Sequence, residues 1–503
     1  MSDGSRMRRV LVRLGVAVLV VLVGLSGATA WVYTSAEVST VGKVDFVRPL
    51  AIPPLAQSTV AADGAREFEL DMRSGSTEFR PGQAIDTWGF NGNHLGPTLR
   101  ARRGEQVRVR VRNALPEAST VHWHGMHVPA AMDGGPHQMV EPGAEWKPEW
   151  TVEQPAATLW YHPHPHGATE THVSRGLAGM FLLDDDASDA LALPHTYGVD
   201  DLPVLVQDVR FRNGRFDFGH GAFRDAGFLG DEVLVNGTLA PYREVSDELV
   251  RLRLVNASPA RIYNFGLSDG RDFALIGTDG GLLERPAQLK HVQLSPGERA
   301  EIVVRVKPGE RVTLRSDRLD AGLDMFTNRF SGGDDRFDIL ELRAAATLRP
   351  APPLPDHLVT PQTPKAADSV GERSFELEFG KINGKAMDMS RIDATVTRGT
   401  TETWIVHNGD GTPHNFHIHD TQFAVAEVNG NQPPESLRGP KDTVFVAPGS
   451  TVTLLVRFDG PADPNAPYMF HCHLLWHEDL GMMGQFVVVD PGQQPGTPHH
   501  SGH

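Results

Sequence analysis

An all-β protein of about three domains is what this sequence predicts. Three observations carry that prediction. The chain has 503 residues. Its apolar runs are short, rich in valine and often alternate with charged residues. Its 51 glycines and 37 prolines punctuate those runs. Hydrophobic content of 40% and charged content of 22% belong to a soluble globular protein. A net charge of −16 excludes a nucleic-acid partner, because a phosphate binder needs a basic face.

In chain order, residues 1–33 form a signal peptide or a membrane anchor. Arg6, Arg8, Arg9 and Arg13 precede an almost wholly apolar run that ends in Ala28-Thr29-Ala30, the layout of an export signal. Arg8-Arg9-Val10-Leu11 resembles a twin-arginine signal, used for proteins exported already folded. Apolar character continues through Trp31, Val32 and Tyr33, so the run reaches the length of about 20 residues that spans a bilayer. Either way the bulk of the chain is exported, to the periplasm, the cell surface or the medium.

A Pro-containing lead-in follows, then a first domain over residues 60–190. Its run Val107-Arg108-Val109-Arg110-Val111-Arg112 has the period of two of a half-buried strand. A second domain covers residues 203–346. His220 and His291 stand alone there and are expected to be surface or satisfied core residues, which makes this middle domain structural. Residues 347–372, rich in Pro, Ala and Thr, form a semi-rigid linker. A third domain covers 373–490. The tail, 491–503, with His499, His500 and His503, is expected to be disordered.

The third domain holds the only cysteine, in His471-Cys472-His473, with His477 and Met482 close behind. Two imidazoles and a thiolate in a plane with a weak axial thioether make a blue-copper site. One imidazole must come from elsewhere. The flanking runs Tyr468-Met469-Phe470 and Gln485-Phe486-Val487-Val488-Val489 predict strand, loop, strand. On a strand the faces alternate, so His471 and His473 point away from Cys472 and one segment touches two metal sites.

Random scatter of 23 histidines would give roughly one His-x-His pair, by matching counts to that template. Five occur: His122/His124, His162/His164, His164/His166, His417/His419 and His471/His473. Each places two imidazoles on one face of a strand. In His414-Asn415-Phe416-His417-Ile418-His419, His414 faces opposite to the other two, so it is the candidate for the missing imidazole. The remaining eight, His122, His124, His162, His164, His417, His419, His471 and His473, suit a cluster rather than one ion. Zinc sites use several cysteines, or about three ligands and a water, and match neither set. Copper accepts both.

These four segments resemble the four copper motifs of multicopper oxidases, and the chain is most similar to the three-domain bacterial laccases and the copper-tolerance cuprous oxidases. Asn91-Gly92-Asn93-His94-Leu95-Gly96-Pro97, Asp133-Gly134-Gly135-Pro136 and His477-Glu478-Asp479 add to the resemblance. It implies three cupredoxin-like Greek-key β-sandwich domains and four copper ions. The type 1 copper would take His414, Cys472, His477 and axial Met482; the type 2, His122 and His417; the type 3 pair, His124, His162, His164, His419, His471 and His473. It also implies transfer of electrons through Cys472, with four-electron reduction of dioxygen to water. Asp133 and Glu478 match the family's proton-relay acids. His127, His137, His166 and His172 have no motif role and are expected to be surface residues or labile metal contacts.

For the reductant, the resemblance implies a small molecule oxidised near His414 and Asp410, either phenolic or cuprous. Cuprous oxidases carry a methionine-rich insertion before the last motifs. Residues 348–369 contain no methionine, and Thr412 stands where a nearby methionine is expected. Met387 and Met389 are expected to pack in the core. A laccase-like activity on phenols or other organic reductants is therefore expected, with a cuprous oxidase as the alternative. Relatives that keep the fold, lose copper and serve in cell division, and copper-storage proteins, are the readings without turnover.

Overall fold

The computed structural model describes residues 3–221, 225–319 and 322–499. Strands dominate, and they group into three pairs of facing sheets. The first pair is a six-stranded sheet, with Arg66–Arg80 and Gln106–Ala114 at its centre, and a four-stranded sheet ending in His122–His124. In Gln106–Ala114 the valines Val107, Val109 and Val111 are buried while Arg108, Arg110 and Arg112 are not, as the period of two requires. The middle pair has six and seven strands around a core of Leu, Val, Ile and Phe. The last has two five-stranded sheets closed over Trp404, Phe416, Phe470 and Phe486. Three sandwiches, each with its own core, make the chain all-β.

The helix Asp3–Ser35 precedes them, and its described side chains are exposed along nearly its whole length. After it, Arg48–Pro49 pairs in parallel with Pro241–Asp247 of the middle sandwich, while Ser58–Val60 pairs with Arg66–Arg80 of the first, so the lead-in bridges the two. The linker is docked: Leu358 is buried in the middle core and its N–H donates to the Glu284 carbonyl at 2.8 Å. The strand Ser369–Glu378 opens the third sandwich, a few residues before the sequence places its start. At the tail, the N–H groups of Gly496 and His499 each donate at 2.9 Å, to the carbonyls of Pro464 and Asn465. His500 and His503 lie outside the described residues.

The middle sandwich also reaches into the other two. Arg299, on strand Arg299–Arg305, is fully buried and grips Asp442 of the third sandwich through two bonds of 2.6 Å. Lys441 next to it binds Asp279 at 2.9 Å and Glu298 at 3.0 Å. Arg299→Met would leave the Asp442 carboxylate buried without its cation, and removing one partner of such a pair costs about 3–5 kcal/mol. The denaturant midpoint of Arg299→Met is expected to fall accordingly, with the slope unchanged.

Candidate metal centre

Four short strands carry the histidine motifs. His122–His124 is the edge strand of the first sandwich and pairs with Ala157–His162, setting His122 opposite His162. In the third sandwich His414–Ile418 pairs with Tyr468–His471, setting His417 opposite His471. The ends of these two strand pairs meet. His122, His124 and His417 come together; so do His124, His162 and His473; so do His164, His419 and His471. Within each group the donor atoms lie within 4.8 Å of one another, and every residue is buried. All eight clustered histidines of the sequence reading are present.

His414, Cys472 and His477 form a separate buried group. The Cys472 Sγ lies 3.7 Å from His414 Nδ1 and 3.6 Å from His477 Nδ1, and the two nitrogens are 3.0 Å apart. The parity argument therefore holds at both segments. Met482 is fully buried, and its carbonyl accepts the Cys472 N–H at 3.1 Å. The predicted strand-loop-strand contains one addition: residues Leu475–Asp479 form a turn of helix, which brings His477 back toward Cys472.

The donors fit a metal. Burial pushes the imidazoles of His124, His162, His164, His417, His419 and His473 well below their ordinary range, and those of His471 and His477 down to about 3. They are neutral, with lone pairs to give. The second ring nitrogen of most is tied to an acceptor. His122 Nδ1 donates to the Asp133 carbonyl and His417 Nδ1 to the Asp442 carbonyl, both at 2.9 Å. His477 Nε2 donates to the Asp225 carbonyl at 2.7 Å. Such partners fix the tautomer that leaves the inward nitrogen free for a metal. Inward nitrogens then face one another unpaired: His164 Nε2 and His419 Nε2 lie 3.2 and 3.1 Å from His471 Nε2. Nε2 of His122 and of His417 has no hydrogen-bond partner. Burial also raises the Cys472 thiol to about 12, so a thiolate there needs a cation beside it.

Asp133 and Glu478 lie against the cluster. Asp133 Oδ2 is 2.6 Å from His419 Nδ1. Its turn requires Gly134, at φ +77°, where a Cβ would sit 1.8 Å from the Val121 carbonyl oxygen. Glu478 places one carboxyl oxygen 3.3 Å from His164 Nδ1 and the other 3.3 Å from His471 Nδ1. Burial, with Asp479 adjacent, raises its carboxyl well above the usual carboxylate range. Asp479 accepts the N–H groups of Thr169 and Glu170 at 2.8 and 3.0 Å, tying this helix to the first sandwich.

Asp410 touches His414, with Oδ2 3.2 Å from Nε2. His414 itself is fully buried. Asp410 Oδ2 also accepts the Phe379 N–H, and Oδ1 the Thr412 N–H, both at 2.7 Å. Burial works to raise this carboxyl, and the hydrogen bond from His414 with those backbone donors outweighs it and lowers it.

Several expectations need correction. His137 and His172 are buried rather than surface residues. His137 Nε2 is 2.8 Å from Gln485 Oε1, and His172 bridges Ser119 at 2.9 Å and Glu117 at 2.8 Å. His127 is half-buried and His166 exposed. His220, paired with Glu170 at 2.7 Å, and His291, paired with Asp317 at 3.3 Å, are satisfied as expected. Met387 and Met389 are half-buried in a loop, since the Met387 N–H bonds the Gly481 carbonyl and draws the segment over the surface beside Met482. The middle sandwich is more than structural support. It supplies the Asp225 carbonyl to His477, and Arg299 to the Asp442 that lies 3.1 Å from His124. Asn415 was also missed. Its side-chain oxygen accepts the His473 N–H at 2.5 Å, and its amide donates to Ser295 and Pro296 of the middle sandwich. Single polar residues of this kind have no spacing to betray them.

Three buried groups of imidazoles joined to a cysteine site are the centre of a multicopper oxidase, and the chain belongs to that family. Models described as "Multicopper oxidase" match residues 71–188 and 352–492. The chain is 36% identical over 457 residues to the multicopper oxidase mco of Staphylococcus aureus, covering 90% of this chain and 94% of that one. It is 38% identical over 453 residues to the cell division protein FtsP of Escherichia coli (strain K12), covering 88% and 93%. Among solved structures it resembles the laccase-like multi-copper oxidase CueO of the lignin-degrading bacterium Ochrobactrum sp., with a TM-score of 0.79 and 36% identity over 88% of this chain and 100% of that one. That enzyme is described as having oxidase activity towards lignin model compounds and lignosulfonate. The protein is an oxidoreductase with copper cofactors, using dioxygen and a reductant.

Proposed function

We propose that the chain is an exported four-copper oxidase that takes electrons from phenolic or other organic reductants and passes them to dioxygen, forming water. When bound, copper supplies one-electron acceptance at the cysteine site and dioxygen reduction at the cluster. His414, Cys472 and His477, with Met482 beside them, would hold the first ion. His122 and His417 would hold the second; His124, His162 and His473, with His164, His419 and His471, would hold the remaining two. The observation that carries this reading is the position of Cys472. Its sulfur lies in one donor group while the residues on either side, His471 and His473, enter two others.

Reduction of one dioxygen to two waters takes four electrons and four protons, so a proton supply to the cluster is required. Glu478, against His164 and His471, is placed to deliver a proton, and Asp133 against His419 is placed to pass another. The burial of all eight imidazoles excludes bulk water from their faces.

Two observations favour an organic reductant. Phe379 is half-exposed, with its ring 5.1 Å from that of His477 and 5.2 Å from Trp476, and Leu480 is exposed nearby. The rings meet edge to face and give an apolar seat for an aromatic ring beside the cysteine site. Asp410 already binds His414, Phe379 and Thr412, which leaves it poorly free for a cuprous ion. Oxygen uptake with a phenol is expected to exceed that with cuprous ion in the same preparation. Faster uptake with cuprous ion would move the assignment to copper tolerance. The likeness to FtsP supports a second reading, a cell-division protein without turnover. Sustained oxygen uptake from an added phenol, in stoichiometric proportion to its oxidation, separates the two.

A further inference from the structure

The helix Asp3–Ser35 and the middle sandwich are joined without slack. Tyr33 packs on Phe326 with ring centroids 5.9 Å apart, and the Arg329 guanidinium lies 4.6 Å above the Tyr33 ring. Glu37 binds Arg329 at 2.5 Å and Arg318 at 3.0 Å. The Val38 N–H donates to Asp335 at 2.7 Å and the Thr40 N–H to the Arg336 carbonyl at 3.0 Å. The folded body therefore begins before the helix ends.

That joint carries an apolar tip. The short helix Met325–Phe330 starts at Asp324, whose carboxylate accepts the Phe326 and Thr327 N–H groups at 2.9 and 3.2 Å. Its first two residues project into solvent, Met325 72% exposed and Phe326 44%. Trp31, 71% exposed, and Val32 lie on the adjoining turn of the long helix. Two large apolar side chains exposed together beside an apolar helix mark an interaction surface.

The length of the helix identifies the partner. Arg6–Ser35 is long and apolar enough to cross a membrane. Arg13 is its last charged residue, and no other follows until Glu37. Residues 14–33 therefore rise about 30 Å, the thickness of the hydrocarbon layer. With Arg6, Arg8, Arg9 and Arg13 on the cytoplasmic side, Trp31 and Tyr33 fall at the outer interface, where aromatic rings settle. Thr29 and Thr34 hydroxyls donate to the carbonyls of Leu25 and Ala30 at 2.9 Å, so neither is left unpaired in lipid. Phe326, packed against Tyr33, falls at the same level.

We propose that the helix is retained as a membrane span and that Met325 and Phe326 enter the outer interface of the same phospholipid bilayer. The middle sandwich then stands as the membrane-proximal foot, held at two points rather than swinging from one. With a net charge of −16 the body is repelled by anionic headgroups, so the contact is apolar and persists in salt.

Two readouts on the full copper-loaded chain test this, and neither depends on the oxidase assignment. Cys472 is buried, so a thiol-reactive fluorophore attaches selectively to Met325→Cys or, as a control, to Val370→Cys, which is equally exposed on the third sandwich. In phosphatidylcholine nanodiscs, the label at 325 is expected to shift blue and be quenched by lipids carrying a spin label near the headgroup, at low and high salt alike. The label at 370 is expected to do neither. Equal behaviour at the two positions overturns the second contact. Protein isolated from membranes of an expressing bacterium is expected to begin before Leu14. A product beginning at Trp31 in the soluble fraction overturns the retained span.

Discussion

Cys472→Ser is expected to abolish oxygen uptake with every reductant while leaving the fold intact. The hydroxyl is smaller than the thiol by less than a methylene, and its polar neighbour, Asn415 Oδ1 at 3.6 Å from Sγ, compensates it only in part. The stability loss is therefore on the order of 1–3 kcal/mol, the cost of burying a hydroxyl with partial compensation. The chemical loss is far larger. A serine hydroxyl does not become an anionic donor at neutral pH, and the His414/His477 pair alone lacks the soft ligand of a blue-copper site. The cluster histidines are untouched, so the variant is expected to retain three of four coppers by metal analysis. Residual steady-state uptake within tenfold of the parent would contradict the role assigned to the sulfur.

The second large effect is expected at the two acids. Glu478→Gln keeps shape and hydrogen-bonding capacity but removes the transferable proton. Asp133→Asn removes the carboxyl group beside His419. Positioned acids and bases contribute about 10²–10⁴-fold, and each variant is expected to lose turnover in that range. Neither acid belongs to the cysteine group, so the colour of that site is expected to persist in both. Unchanged oxygen consumption in both variants would remove them from the proton path.

Much of this candidate site was legible because its donor residues obey strand parity. In His414–Ile418 and around Cys472, alternation alone separates the two donor groups, and the structure keeps that separation. Two segments escaped the same logic. Leu475–Asp479 is a single helical turn, too short to show a period, yet it swings His477 and Glu478 to opposite sites. The contribution of the middle sandwich was invisible for a different reason. Asp225 acts through a carbonyl that any residue has, and Arg299 reaches Asp442 across 143 positions. Contacts of that kind are made by the docking of three sandwiches, not by local pattern. The fold class followed from valine alternation. The docked linker did not, since Pro-rich composition describes stiffness and says nothing of Leu358 finding the middle core.

The absorption spectrum of the unsubstituted protein, loaded with cupric ion and freed of excess metal, bears most directly on the central claim. Sulfur, two imidazoles and a thioether around one cupric ion give an intense band at about 600 nm, and the assignment predicts that band alongside four coppers per chain. A colourless preparation carrying its full copper complement would contradict it.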